Sequence, residues 1–130
     1  MVFIYQFEKH KAYFPLTHFL FGRLQKRKTK AVTSLVSFIK ITSFPQLTGK
    51  DSLLADYKKI FLKTPSFSMI NPDIEIAEKA AELRKAYKLR TPDAIQMATS
   101  IVNKAELFIS NDDCFKKVKE IKTLVLKDFA

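Results

Sequence analysis

The sequence predicts an α/β fold built on a short parallel sheet. Two observations carry this: short apolar runs such as "PSFSMI" and "ELFIS" alternate with longer segments of helical period, and only 2 glycines occur, too few for a hairpin-dense all-β chain. A third, 47% hydrophobic content over 130 residues, suits a single domain spanning 1–130 with a real core.

Taken in order, residues 16–27 place Leu16, Phe19, Leu20 and Leu24 near helical spacing, with basic residues at the end where the helix dipole favours them. "AVTSLVSFIKI" reads as a strand through Thr33, then Ser34 as a cap and a helix from Leu35 to Ile41. "TSFPQLTGKD" is the longest expected loop. "DSLLADYKKIFLK" is an amphipathic helix begun by Asp51 or Ser52. "PSFSMI" alternates as a strand does, with Phe67 and Met69 on one face. A helix over 74–87 follows, with Asn71 as its cap, Pro72 in the first turn, and Ile74, Ala77 and Ala81 on the packing face. The helix from Pro92 to Asn103 carries Ile95, Ala98 and Val102 on one stripe, widened by Ala94, Met97 and Ile101, and should be buried on much of its circumference. "ELFIS" is a strand, "NDDCFKKVKE" a loop leading into a short basic helix, and "TLVLKDF" a final strand. Strand, helix, strand in that order argues parallel pairing.

Cys114 is the only cysteine, which excludes an internal disulfide and a thiolate-rich zinc site and makes a reducing cytoplasm the expected compartment. No secretory signal is legible in "MVFIYQFEKH", and no apolar run approaches a membrane span; "YFPLTHFLFG" is too short and carries Thr17 and His18. A net charge of +10 favours polyanionic partners, nucleic acid or an acidic protein. The densest basic run, "RLQKRKTK", is either a solvated helix end or an RNA contact.

Two acids stand out. Asp93, in "RTPDAI", sits at a helix entrance where Thr91 would cap and Pro92 would fit the first turn, so a structural role suffices unless a second acid stands beside it. Asp73, at the other Pro-Asp entrance, shows that the local motif alone is no sign of chemistry. Asp112 follows "LFIS" and should lie at the carboxyl end of a parallel strand, the edge where open α/β sheets bind ligands. Together the two would suit Mg2+ or Mn2+; alternatively Asp112 starts a turn and caps the next helix.

"LRTPDAIQMATSIVNKAELFISNDDCF" resembles the second half of the PIN-domain family, metal-dependent nucleases that include VapC-type toxins of toxin-antitoxin pairs. The resemblance implies a three-layer α/β/α fold, with Asp93 on the family's third acid, Asp112 on its fourth, and Ser110 in the hydroxyl position of "SND". It implies RNA hydrolysis with Mg2+ or Mn2+, an antitoxin-like partner and a homodimer. The amino-terminal half departs from the pattern. "MVFIYQFEKH" resembles the segment just after the family's first, central strand, so that strand and its acid have no counterpart, and Met1 takes the last place of an "L-D-T-N" type motif. In "TSLVSFIKI" the family's glutamate is replaced by Lys40, pointing either inward or outward.

Two family acids of four are therefore absent, which predicts weak metal binding at most and an impaired nuclease, with a non-catalytic RNA- or protein-binding module as the alternative. A sheet without its middle must close the gap or leave edges unpaired; residues 1–6 are expected to fill part of it. A start further upstream, or a decayed remnant, would explain the missing strand. Ser110 and Asn111 are candidates for orienting water or substrate, or for a turn. His10 and His18 lack ligand-spaced partners and Cys114 lacks a nearby His, so packing or surface roles are expected for all three.

Overall fold

The computed structural model describes residues 14–43 and 49–129. In chain order these form helix α1 (Phe14–Gln25), strand β1 (Ala31–Ser34), helices α2 (Leu35–Thr42) and α3 (Asp51–Lys63), strand β2 (Phe67–Ile70), helices α4 (Ile74–Tyr87) and α5 (Thr91–Val102), and strand β3 (Leu107–Ser110). A 3-10 helix (Asp113–Lys117), strand β4 (Lys122–Val125) and a second 3-10 turn (Leu126–Phe129) complete it. The expected α/β class, in the order read from hydropathy, is what the protein adopts. The expected filling of the sheet by residues 1–6, the places of Met1 and His10, and residues 44–48 of the expected 42–51 loop lie outside the described residues.

Local chemistry sets the helix starts. Ser34 caps α2 by accepting a hydrogen bond from the Val36 amide. Asp73, not Asn71, caps α4: its Oδ1 accepts from the Ile76 amide at 2.9 Å, because the helix begins at Ile74, two residues beyond Pro72. The packing face of α4 also differs from the expected one. Ile76, Ala80 and Leu83 are buried, while Ile74 is 75% exposed, since starting the helix at Ile74 puts the i, i+4, i+7 stripe from Ile76 against α5. In α1, Leu24 and Phe21 are buried but Phe19 is 67% exposed. Arg90 and not Thr91 holds the cap position of α5, with no side-chain bond; Thr91 is already helical and Pro92 lies in the first turn.

Pairing is parallel throughout, but in two halves. β1 pairs with β2, Ala31 opposite Phe67 through Ser34 opposite Ile70; β3 pairs with β4, Leu107 opposite Lys122 through Ser110 opposite Val125. No pairing joins the two halves among the described residues. β4 ends at Val125 where the sequence suggested a longer strand, because Leu126–Phe129 turn into a 3-10 helix. Each half has its own core. Ile41, Tyr57 and Phe61 gather beneath β2, with Phe38 and Phe67 edge-on to Phe61. The larger cluster joins Ile76, Leu83, Ala94, Met97 and Ala98 to Phe108, Phe115 and Val118.

Helix α5 holds the halves together. It contacts α4, α2, β1 and β3, and Ala94, Met97 and Ala98 are fully buried in it. Small residues here let both sheets approach the helix axis. Met97→Ala should destabilise the protein by about 2–5 kcal/mol, read as a lower urea midpoint at unchanged slope; a loss under about 0.5 kcal/mol would show that α5 is not the shared support.

Candidate functional site

A cleft of about 1270 Å³ opens between the two half-sheets. All four residues of β1 and all four of β3 line it, α1 contributes Leu16, Thr17 and Leu20, and α5 contributes Asp93, Gln96 and Ser100. Asp112 and Asn111, just beyond the carboxyl end of β3, stand at its border, as the strand-edge rule anticipates.

Asp93 projects from the first turn of α5, 16% exposed, and its partner is the Lys40 ammonium, with Nζ 3.6 Å from Oδ1. Lys40 therefore points inward. It lies one turn beyond Ser37, which is buried on α2, and that i, i+3 relation brings the lysine to the same face. With Lys40 41% exposed, the pair stabilises the fold by about 1 kcal/mol or less. Its importance is positional: it fixes a cation beside the carboxylate in the first turn of α5.

Asp112 accepts a 2.9 Å hydrogen bond from the Cys114 amide and caps the 3-10 helix, the turn role the sequence left open. That backbone bond holds its carboxyl below the ordinary value of 3.8, against opposing desolvation. The stability it confers is present above that ordinary range and lost as pH falls through the lowered folded value. Ser110 Oγ accepts from the Asp112 amide, and Asn111 Oδ1 accepts from the Lys127 amide at 2.9 Å. Both side chains thus shape the loop that presents Asp112.

Cys114 lies next to Asp112, whose carboxylate accepts from its amide. Its thiol is pushed up to about 11, first by burial, then by its hydrogen bond to Asp112 and the negative charges of Asp112 and Asp93. It is a poor nucleophile, as expected from its lack of a histidine partner. His18 is exposed on α1. Among the described residues no group of three or more His, Cys, Asp or Glu side chains gathers in a way that could hold a metal ion. No helix among them is long and apolar enough to cross a membrane.

Sequence reading missed the buried hydroxyls of the cleft. Thr17 and Ser34 are almost fully buried, and Thr33 donates to Ser37 Oγ at 3.0 Å. The signal was present in "VTSLVS", where hydroxyls recur among apolar residues, but their convergence needs α1 and α2 placed around β1. Lys104 was also missed; it joins Arg23, Lys28 and Lys30 on the cleft wall from the end of α5.

The model of the PIN domain family matches residues 8–121. Among solved structures, the toxin-antitoxin complex from Klebsiella pneumoniae contains a similar chain: identity is 28%, 72% of this chain and 71% of that chain are covered, and the TM-score is 0.55. A search of curated proteins found no significant match.

Alkylation of Cys114 by iodoacetamide at pH 8 should run about 100-fold slower than for a thiol of ordinary acidity, because so little thiolate is present. Asp112→Asn and Asp93→Asn should each speed it, since removing a negative charge lowers the thiol's pKa. Equal rates in wild type and both variants would show that neither carboxylate acts on the sulfur.

Proposed function

The chain belongs to the PIN-domain family, and on that premise we propose that it is a toxin-type, Mg2+-dependent endoribonuclease domain whose chemistry is impaired in this chain. Its similarity to a chain from a toxin-antitoxin complex supports the toxin assignment and an antitoxin-like partner. Homodimerisation and a cytoplasmic location belong to the same reading.

The observation that carries the impairment is the contact between Lys40 and Asp93. Mg2+ and Mn2+ take hard oxygen ligands, and Asp93 and Asp112 are of the right type. The remainder of the set does not fit. An ammonium already neutralises Asp93, and one Asp112 oxygen is engaged by the Cys114 amide. Two unit charges of like sign at about 4 Å repel by about 4 kcal/mol at an effective dielectric near 20, and a divalent ion beside Lys40 would meet more. These residues make at best a weak divalent site, and no hydrolytic step is assigned to them.

The capacity to bind RNA is better preserved than the capacity to cut it. Arg23, Lys28, Lys30 and Lys104 border the same cleft, where they can engage phosphates without regard to sequence. Lys40, paired with Asp93, cancels a negative charge on the cleft, so it lessens the repulsion of a bound anion while disfavouring a bound metal. This supports the second reading, a non-catalytic RNA- or protein-binding module.

Calorimetric titration with MgCl2 or MnCl2 should show weak binding, abolished by Asp93→Ala with Asp112→Ala and tightened at least about tenfold by Lys40→Ala. Unchanged affinity in the double variant would remove both acids from the site. Cleavage of a labelled single-stranded RNA should not exceed background, and RNA binding should persist in EDTA. Lys28→Glu with Lys30→Glu should weaken that binding and flatten its salt dependence; metal-dependent cleavage by the unaltered chain would overturn the impairment.

A further inference from the structure

We infer that the hollow between the last turns of α4 and the link into α5 is a phosphate-binding site, which holds the backbone of an RNA chain outside the cleft. The inference rests on the RNA-binding reading above and gives it a second surface.

The hollow follows from how α4 ends. Lys88 takes a left-handed conformation (φ 56°), and its amide donates to the Arg84 carbonyl at 2.9 Å, which closes the helix. The chain then turns so that Leu89 enters the larger core, and Arg84 Nε donates to the Leu89 carbonyl at 3.4 Å. Helix and link enclose a cavity of about 450 Å³ lined by Ala81, Arg84, Lys85, Lys88 and Leu89. Positions 81, 84, 85 and 88 recur at helical spacing, so three cations share one face with an alanine whose small side chain leaves the space open. None of the five residues lines the cleft between the half-sheets.

The charge of this hollow is uncompensated. No carboxylate lines it, and Arg84, Lys85 and Lys88 form no ion pair among the described residues. The acids that flank them in the sequence are engaged elsewhere: Glu82 with Lys79 at 3.5 Å, and Asp93 with Lys40. A helix dipole favours cations at a C-terminus, but it does not call for three around one hollow, where like charges a turn apart repel one another. A bound anion relieves that repulsion. Phosphate fits better than an acidic peptide, because Arg84 keeps its terminal nitrogens for a ligand and the two lysines add mobile point charges. Ala81 and the buried Leu89 offer little apolar surface on which peptide side chains could anchor. Arg90, exposed at the cap of α5, continues the positive surface toward the helix that carries Asp93.

The test reads fluorescence anisotropy of fluorescein-labelled oligouridylate with the full chain, in EDTA. Arg84→Gln with Lys85→Gln and Lys88→Gln should weaken binding at least about tenfold and reduce the slope of log affinity against log salt by about 2, as the loss of three single-strand phosphate contacts requires. A charge-matched control, Lys58→Gln with Lys59→Gln and Lys63→Gln on the exposed side of α3, should change affinity less than about twofold. Ala81→Phe, which fills the hollow without altering charge, should also weaken binding, and it keeps the test valid if the triple variant misfolds. Equal losses in the two triple variants would reduce the effect to net charge and overturn the site. Full binding by the triple variant and by Ala81→Phe would overturn it as well, while leaving the RNA reading intact. Displacement of the RNA by polyglutamate as readily as by unlabelled oligouridylate would replace phosphate with an acidic protein. No binding of oligouridylate by the unaltered chain would overturn the RNA reading and this site together.

Discussion

Burial of α5 is the constraint on which everything else rests. Ala94, Met97 and Ala98 are fully buried, and this helix contacts β1 on one side of the cleft and β3 on the other. Two parallel strand pairs of four residues each would be marginal as isolated ribbons. Packed on a common helix, they become two walls of one structure. The same helix carries Asp93 in its first turn, so the element that provides the core also aims the acid, and displacement of α5 would disturb stability and site together.

Charge then decides what the site can do. In a centre built from several converging carboxylates, mutual repulsion is relieved by a divalent cation. Here a covalently attached cation, Lys40, meets Asp93, while the Cys114 amide and a short turn satisfy Asp112. Both acids are thus at rest without metal. The consequence reaches beyond catalysis, because with Asp93 paired to Lys40 the remaining cations of α1, its following loop and the end of α5 outnumber the remaining carboxylates of the cleft, Glu106 and Asp112. Such a surface attracts polyanions and acidic chains alike.

The buried small-residue helix at 92–103 and the succession of elements were legible because hydrophobic period is a local property. Asp112 at a strand end was legible for the same reason. Helix starts were less so: Asn71 and Asp73 are both good caps, and Thr91 is a better cap by type than Arg90, which holds the position, so the choice turns on where the preceding chain leaves the core. The wrong face assigned to α4 has the same origin, since moving the pattern by two residues rotates the stripe by about 200° on a helix of 3.6 residues per turn.

The class of fold, the family resemblance and a lysine at position 40 could be read from the chain alone, because all of them depend on residue identity and spacing along one dimension. That Lys40 turns inward onto Asp93, that the Cys114 amide engages Asp112, and that the strands pair two by two among the described residues follows from packing. The first and the last are relations between segments distant in the chain, created when α5 is buried, and no local period encodes the direction of a side chain across such a gap.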